Sequence, residues 1–365
     1  MWVPGWDGEY PPVAMTAPLA NGDLAELLAR AAEEEQEHRR RVLRRAARAA
    51  LTWPEEAAGV AAADDRSLTE LRGVGPWIAR IIHGWLEDPP AVPEPPAVRT
   101  GFMTLADARR TLAAQPGWRS NLLGDLQMHT TWSDGRASLD TMAEAAAGHG
   151  HKYVAVTDHS KGLPIANGMD EPTLQRQGQV IDAHNGDGRI RLLHALEMNL
   201  SPQGEGDMDP EALSRLELVL GAFHSSLRET ADQTDRYLAA VRNPTVTVLA
   251  HPRGRRFGAR GGLDADWARV FAAAAEAGTA VEIDCFPDRQ DLQVDLLPTA
   301  VEAGAWFSIG TDAHHPHELA FIEFGLASAI AGGVPRARIL NFLPAEEVVA
   351  WARGRGRSRR GAGRG

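Results

Sequence analysis

Residues 124–135 read GDLQMHTTWSDG and bring Gln127, His129 and Asp134 into one short stretch. In a strand, the two-residue period places Gln127 and His129 on the same face, where an imidazole can ligate a metal. A lone histidine in that position is as readily a solvated loop residue, so its neighbours along the chain decide. Asp158 and His159 close YVAVTDH, and Glu197 interrupts the apolar run IRLLHALEMNL. His224 lies in LELVLGAFHS, His251 in TVTVLAHP, and Asp312 and His314 in WFSIGTDAH, two apart and therefore on one face. Imidazoles mixed with carboxylates form the donor set that suits Mn²⁺, Zn²⁺ or Fe²⁺. Gathering so many charges without a cation costs several kcal/mol, so a metal centre is the expected use of these residues.

The runs that carry these groups are short and β-branched. They alternate with helical stretches such as SLDTMAEAAAGHG (138–150) and DADWARVFAAAAEAG (264–278). Strand–helix alternation implies βαβ units and a parallel sheet. Repeated over residues 121–350, it suits a barrel, in which the C-terminal strand ends converge on one mouth. The chain has 365 residues, 44% of them hydrophobic and 24% charged, enough for one large domain and a small one. No apolar run is long enough to span a bilayer, and MWVPGWDGEYPP lacks the basic and apolar segments of a signal peptide. The single cysteine, Cys285, reads as a small core residue and fits a reducing, cytoplasmic compartment. A net charge of −11 argues against wholesale attraction to nucleic acid but leaves room for local basic patches.

Ahead of the barrel the composition differs. Residues 1–20 read as an irregular leader. Residues 23–51 have a helical composition, with a polar break near 36–41 that divides them into two helices. Residues 67–86 follow the pattern helix, Gly-x-Gly turn, helix. Ser67 and Glu70 sit at capping-box spacing, Gly73 and Gly75 permit the turn, and Pro76 suits a first helical position. Backbone N–H groups left open at such a helix start can hold a phosphate. The proline-dense stretch DPPAVPEPPAV (88–98) reads as a semi-rigid linker, and residues 89–120 as linker and lead-in to the barrel. The tail RGRGRSRRGAGRG carries six arginines and no acid, so residues 351–365 are expected to be disordered.

GDLQMHTTWSDG, VAVTDHSKGLPIANGMD, GAFHSS, VLAHPRG and SIGTDAHHP, in this order over about residues 121–345, resemble the motifs of the PHP (polymerase and histidinol phosphatase) phosphoesterases. By motif they resemble the PHP domains attached to bacterial family X DNA polymerases. RRRVLRRAARAAL together with LRGVGPWIARII resembles the helix-hairpin-helix domain at the start of those polymerases, over about residues 23–88. The resemblance implies an α/β fold, a distorted (β/α)7 TIM-like barrel preceded by a small all-α domain, and a centre of up to three divalent ions. Carried over by motif, one ion takes Gln127, His129, Glu197 and Asp312. Glu197 bridges to a second held by His224 and His251, and a third sits on Asp134, His159 and His314. The family has His-x-His where this chain has Gln127-x-His129, and an amide oxygen is a weaker donor than imidazole. The hairpin implies DNA contact through Gly73, Gly75 and Arg80. Ile81 stands where some polymerases carry a Schiff-base lysine, so no lyase activity is carried over.

Such a centre supports phosphate ester hydrolysis by supplying hydroxide, polarising phosphoryl oxygens and stabilising the departing alkoxide. Glu197 and Asp312 are the carboxylates expected to carry the chemistry. Lys161 and Arg253, with Arg255 and Arg256, are candidates for holding the phosphate, and Arg289 and Asp291 for a structural ion pair. His38, His83, His149, His151, His184 and His194 read as surface or packing residues, and His315 and His317 as facing away from the ligands. The expected function is hydrolysis of phosphodiester bonds at DNA ends. Hydrolysis of a small phosphomonoester of the histidinol phosphate kind is the second reading, and a non-catalytic DNA-repair adaptor the third. No nucleotidyl-transfer motif lies between residues 88 and 121, so polymerisation is not expected.

Overall fold

The computed structural model describes residues 18–187 and 190–355. Most of the leader and the arginine tail beyond residue 355 lie outside them. Among the described residues no helix is long and apolar enough to cross a membrane.

Seven parallel strands follow one another in both sequence and space: β1 (Gly124–Met128), β2 (Tyr153–Val156), β3 (Arg191–Asn199), β4 (Leu218–Ala222), β5 (Val248–Leu249), β6 (Ala280–Asp284) and β7 (Phe307–Gly310). Met128, Val154, Val156 and Leu192 pack against the helix Leu139–Gly148 through Met142, Ala143 and Ala146. Leu126, Ala155, Leu193, Ala195, Leu220, Ala222 and Val248 form a second cluster, closed off by Leu340 and Val348. Apolar side chains on both faces are what a parallel strand needs, since helices cover the sheet from outside.

Between β1 and β7 the ring closes through an isolated bridge, Met128 to Ala313, with His129 N donating to Ala313 O at 2.8 Å and Asp312 N to Gln127 O at 3.0 Å. At the opposite end of this seam a side chain replaces the missing ladder. Asn341 Nδ2 donates to Gly124 O (2.9 Å) and Ile309 O (2.7 Å), and its Oδ1 accepts from Ile309 N at 2.7 Å. The architecture is thus the expected distorted, nearly closed seven-stranded barrel.

The N-terminal helices are α1 (Asn21–Glu34), α2 (Glu37–Ala50), α3 (Ala57–Ala62) and α4 (Pro76–Glu87). They enclose their own core around Leu24, Leu28, Leu43, Trp53, Ile78 and Ile82. The break between α1 and α2 falls at the polar stretch, as expected. The hairpin differs from the expectation, because its first arm is a single 3₁₀ turn, Leu68–Glu70. Ser67 and Glu70 form the capping box that starts the turn, and Gly73, at φ 79°, reverses the chain a few residues later, leaving no length for an α-helix.

The segment after the prolines is strapped to both bodies. Arg99 is half-buried and donates from Nε to Glu26 on α1 at 2.7 Å. Val98 O accepts from Gly258 N (2.8 Å), and Gln290 exchanges two 2.8 Å bonds with the backbone of Met103. Phe102 meets Phe257 edge to face at 5.1 Å, and Phe257 belongs to the helical core. Within the expected lead-in, Thr104 caps a fifth helix, α5 (Leu105–Ala114), which packs on the helix Ile322–Ala331.

Candidate metal centre

The ligand candidates meet at the C-terminal mouth. His129 Nε2 lies 2.9 Å from Asp312 Oδ1 and 3.3 Å from Glu197 Oε2. Glu197 Oε2 also faces His159 Nδ1 at 3.3 Å, while its Oε1 faces His251 Nε2 at 2.7 Å and His224 Nε2 at 3.1 Å. Asp134 Oδ1 stands 3.2 Å from His314 Nε2 and 3.6 Å from His159 Nε2. Glu197 is the hub, reached by imidazoles from several strand ends. Among the described residues, three overlapping groups can each hold one ion: His129, Asp134, His159 and His314; His159, Glu197 and His224; and His129, Glu197 and Asp312.

Local bonds set the imidazole tautomers. His224 Nδ1 lies 3.1 Å from Asn199 Oδ1, and His314 Nδ1 lies 2.7 Å from the carbonyl of Asp312. In each case Nδ1 carries the proton and Nε2 offers a lone pair toward the centre. The loop 129–135 is pinned by Asp158, which accepts from Thr130 N and Oγ1, Ser133 Oγ and Gln177 Nε2 at 2.6–2.8 Å. Asp158 therefore positions this loop rather than ligating. Two ligand candidates hold left-handed backbone, Asp312 at φ 51° and His251 at φ 25°. Such conformations cost about 1–3 kcal/mol and persist where the surroundings impose them. Around Asp312 those surroundings include Asp125, whose carboxylate accepts from Thr311 N and Oγ1.

The centre is built for positive charge. Among the described residues, both side-chain polar atoms of buried Gln127, both ring nitrogens of His129, Glu197 Oε2 and Asp312 Oδ1 have no hydrogen-bond partner, although the groups stand close together. Buried polar atoms of this kind are rare unless something else binds them. Burial disfavours the charged form of Glu197, yet the surrounding histidines, His159 and His251 foremost, outweigh it and hold the carboxyl well below its usual range. Burial likewise works against a charged His129, but Asp312 and Glu197 raise its imidazole well above the ordinary value. The donor set is imidazole and carboxylate, and divalent cations fit it.

The sequence reading missed two acids. Glu282 and Asp284 alternate along β6 and are fully buried beside the centre. Burial first pushes both carboxyls well above their usual range; Asp284 and Asp312 add repulsion at Glu282, and at Asp284 burial and Asp312 outweigh the pull of Arg289. Glu282 Oε2 accepts from His251 N at 2.7 Å and so holds a ligand candidate in place. A Cβ at Gly310 would stand 2.4 Å from Glu282 Oε1 and 2.6 Å from Gln127 Cβ, so only glycine lets these two side chains share that space. Charged residues two apart in VEID were the available signal.

The expected phosphate holders are otherwise engaged. The Arg253 guanidinium binds Leu263 O, Gln293 and, at 3.1 Å, Asp264. Arg255 is buried over the ring of Phe102 (4.0 Å) and bonds Thr100 O, and Arg256 pairs with Asp288 at 3.0 Å. Lys161 pairs with Glu171 at 2.6 Å. The expected Arg289–Asp291 pair does not form. Arg289 instead contacts Asp312 and lies 3.6 Å from Asp284, while Asp291 accepts from the backbone N–H groups of Arg253 and Arg255. Gly73 and Gly75 flank the hairpin turn, and Arg80 is exposed on α4.

The chain is similar to the DNA polymerase/3'-5' exonuclease PolX of Bacillus subtilis, 36% identical over 230 residues. It is also similar to a probable phosphatase of Edwardsiella ictaluri, 27% identical over 245 residues, 64% of this chain and 95% of that protein. The chain carries a PHP-type phosphoesterase domain. The PHP match to the Bacillus protein spans 62% of this chain but only 40% of its relative. A probable phosphatase of Syntrophotalea carbinolica is 26% identical over 60% of this chain and 90% of its own length. Among solved structures, the histidinol phosphate phosphatase of Lactococcus lactis, complexed with zinc, L-histidinol and phosphate, aligns at 16% identity with a TM-score of 0.42, covering 55% of this chain and 90% of that one. No family model matches the chain.

Proposed function

We propose that this PHP phosphoesterase hydrolyses phosphodiester bonds at DNA ends, trimming from the 3′ terminus. The observation that carries the reading is the docking of a helical module with a glycine hairpin beside the mouth that gathers the metal-ligand candidates. Arg99, Phe102 and Phe257 hold the two bodies together. The likeness to a protein named as a 3'-5' exonuclease supports the same reading.

Gln127, His129, Glu197 and Asp312, Glu197 with His224 and His251, and Asp134 with His159 and His314 are the residues that would hold divalent ions. Such ions supply a nucleophile at neutral pH and neutralise charge developing on phosphate. The chain's own contribution is positioning. Asn199 and the Asp312 carbonyl orient imidazoles, Glu282 fixes His251, and Arg289 places a guanidinium beside Asp312 where it can meet a phosphate oxygen.

The test is Mn²⁺-dependent digestion of a 5′-labelled single-stranded oligonucleotide. The expected result is a ladder of shortened products, with Asp312→Ala slower by at least about a hundredfold, since even the outer partners of metal ligands are worth 10–100-fold. Intact substrate after incubation with folded, metal-loaded protein would sink the reading. Hydrolysis of a small phosphomonoester is the second reading, favoured by relatives named as probable phosphatases that match over 90–95% of their length. Turnover of histidinol phosphate without oligonucleotide cleavage would select it. A non-catalytic adaptor leaves the orphaned donor atoms of the centre without a role.

A further inference from the structure

A cavity of about 220 Å³ separates the helical module from the barrel mouth. Arg45 and Arg48 of α2 and Arg72 of the hairpin line one wall, and Phe286, Glu318 and Phe321, from the segments after β6 and β7, line the other. We propose that this cleft is a nucleic-acid subsite. Its arginines grip the backbone phosphates of a single-stranded end, and Phe286 offers a face for a base, so that the terminus is led to the metal centre. The inference deepens the phosphodiesterase reading and rests on it for the role of the bound strand.

The cationic wall is a built feature. Trp53 is fully buried, and its Nε1 donates to Arg72 O at 3.0 Å, clamping the turn. Gly73 follows at φ 79°, and a Cβ there would stand 2.9 Å from Ala49 Cβ. The turn thus lies directly on α2 and sets Arg72 next to Arg45 and Arg48, which face one way at i and i+3. All three arginines are exposed, and among the described residues none has an ion-pair partner. Like charges held together without ion-pair partners of their own are a standing site for an anion.

The facing wall connects to the chemistry. Asp288, also at the cleft, is paired with Arg256, and Glu318 is held by His314 N at 2.8 Å, which leaves one carboxylate facing three arginines and the cleft net positive. Phe286 is half-buried and meets Phe321 edge to face at 5.6 Å. Arg289, three residues further along the same loop, touches Asp312. The loop that carries Phe286 at the cleft thus carries Arg289 at the centre. Basic grooves interleaved with aromatic faces are how proteins hold single strands without reading sequence.

The experiment compares the full chain with Arg45→Ala/Arg48→Ala/Arg72→Ala. Binding of a fluorescein-labelled oligothymidylate is followed by anisotropy across a salt series, with Asp312→Asn added to both proteins to prevent turnover. The expected result is Kd weaker by at least about tenfold and a log–log salt slope flatter by about 2, since each neutralised phosphate of a single strand contributes roughly 0.7. The Arg→Lys triple variant should regain most of the slope. With Asp312 intact, hydrolysis of bis(p-nitrophenyl) phosphate by the alanine variant should match the parent within about twofold, because the centre is untouched. Unchanged Kd and slope would overturn the cleft, even if the parent digests DNA. Cleft-dependent binding by a protein that never cleaves DNA would overturn the phosphodiesterase reading and leave the cleft standing.

Discussion

Two sets of arginines flank the same mouth and do opposite things. Arg253, Arg255 and Arg256 follow His251 directly in sequence, yet each guanidinium is engaged by the protein's own carbonyls, carboxylates or aromatic rings. Arg45, Arg48 and Arg72 belong to a separate helical body, far away in sequence, and face an open cleft. Nearness along the chain to a ligand motif says little about nearness to substrate. An arginine on a loop packed into the barrel is readily taken up by the carbonyls, amides, acids and rings around that loop, whereas one on a docked neighbour keeps its charge available.

The contrast can be broken most sharply at Arg255. Arg255→Ala removes the stack on Phe102, takes the donor from Thr100 O and Gln293 Oε1 and leaves a cavity at a buried position, an expected loss of about 2–4 kcal/mol in denaturant unfolding. The surviving folded protein should hydrolyse a small diester normally. A stable variant with a weakened substrate KM would instead make Arg255 a substrate contact. A smaller effect is expected at the hairpin. Gly73→Ala meets both the positive φ and the close Ala49 side chain, costing about 1–2 kcal/mol. Gly75→Ala, with open space at its Cβ, should stay within about 0.5 kcal/mol. Equal melting curves for the two would mean the turn does not depend on its contact with α2. The smallest effect is expected at Arg80, exposed on α4 and outside the cleft wall. Arg80→Ala should change oligothymidylate affinity by less than about twofold, as isolated surface charges do. A larger loss would move the strand's path toward the start of α4.

The barrel was legible where strands announced themselves twice, by a β-branched run and by a polar residue at its end. YVAVTDH, TVTVLAHP and WFSIGTDAH became β2, β5 and β7 with their histidines at the mouth. What escaped reading depends on neighbours from distant segments. Glu282 in AVEIDC looks like any alternating strand acid until β5 brings the N–H of His251 against it. Arg289 and Asp291 look like a natural pair until the barrel places Asp312 and Asp284 beside Arg289. The short first arm of the hairpin was hidden because a capping box marks where a helix begins but not how soon Gly73 ends it.

The seam held by Asn341 has a consequence in time. Its amide reaches Gly124 across 217 residues of sequence. A ribosome adding about 5–20 residues per second needs on the order of tens of seconds to make that span. Throughout that interval β1 presents unmet carbonyls on one edge, and Gln127 and His129 wait for Asp312. The first motif translated is thus among the last parts of the centre to be completed, and substitution at Asn341 should show itself in the yield of nascent chains before it shows in the catalytic rate of those that finish.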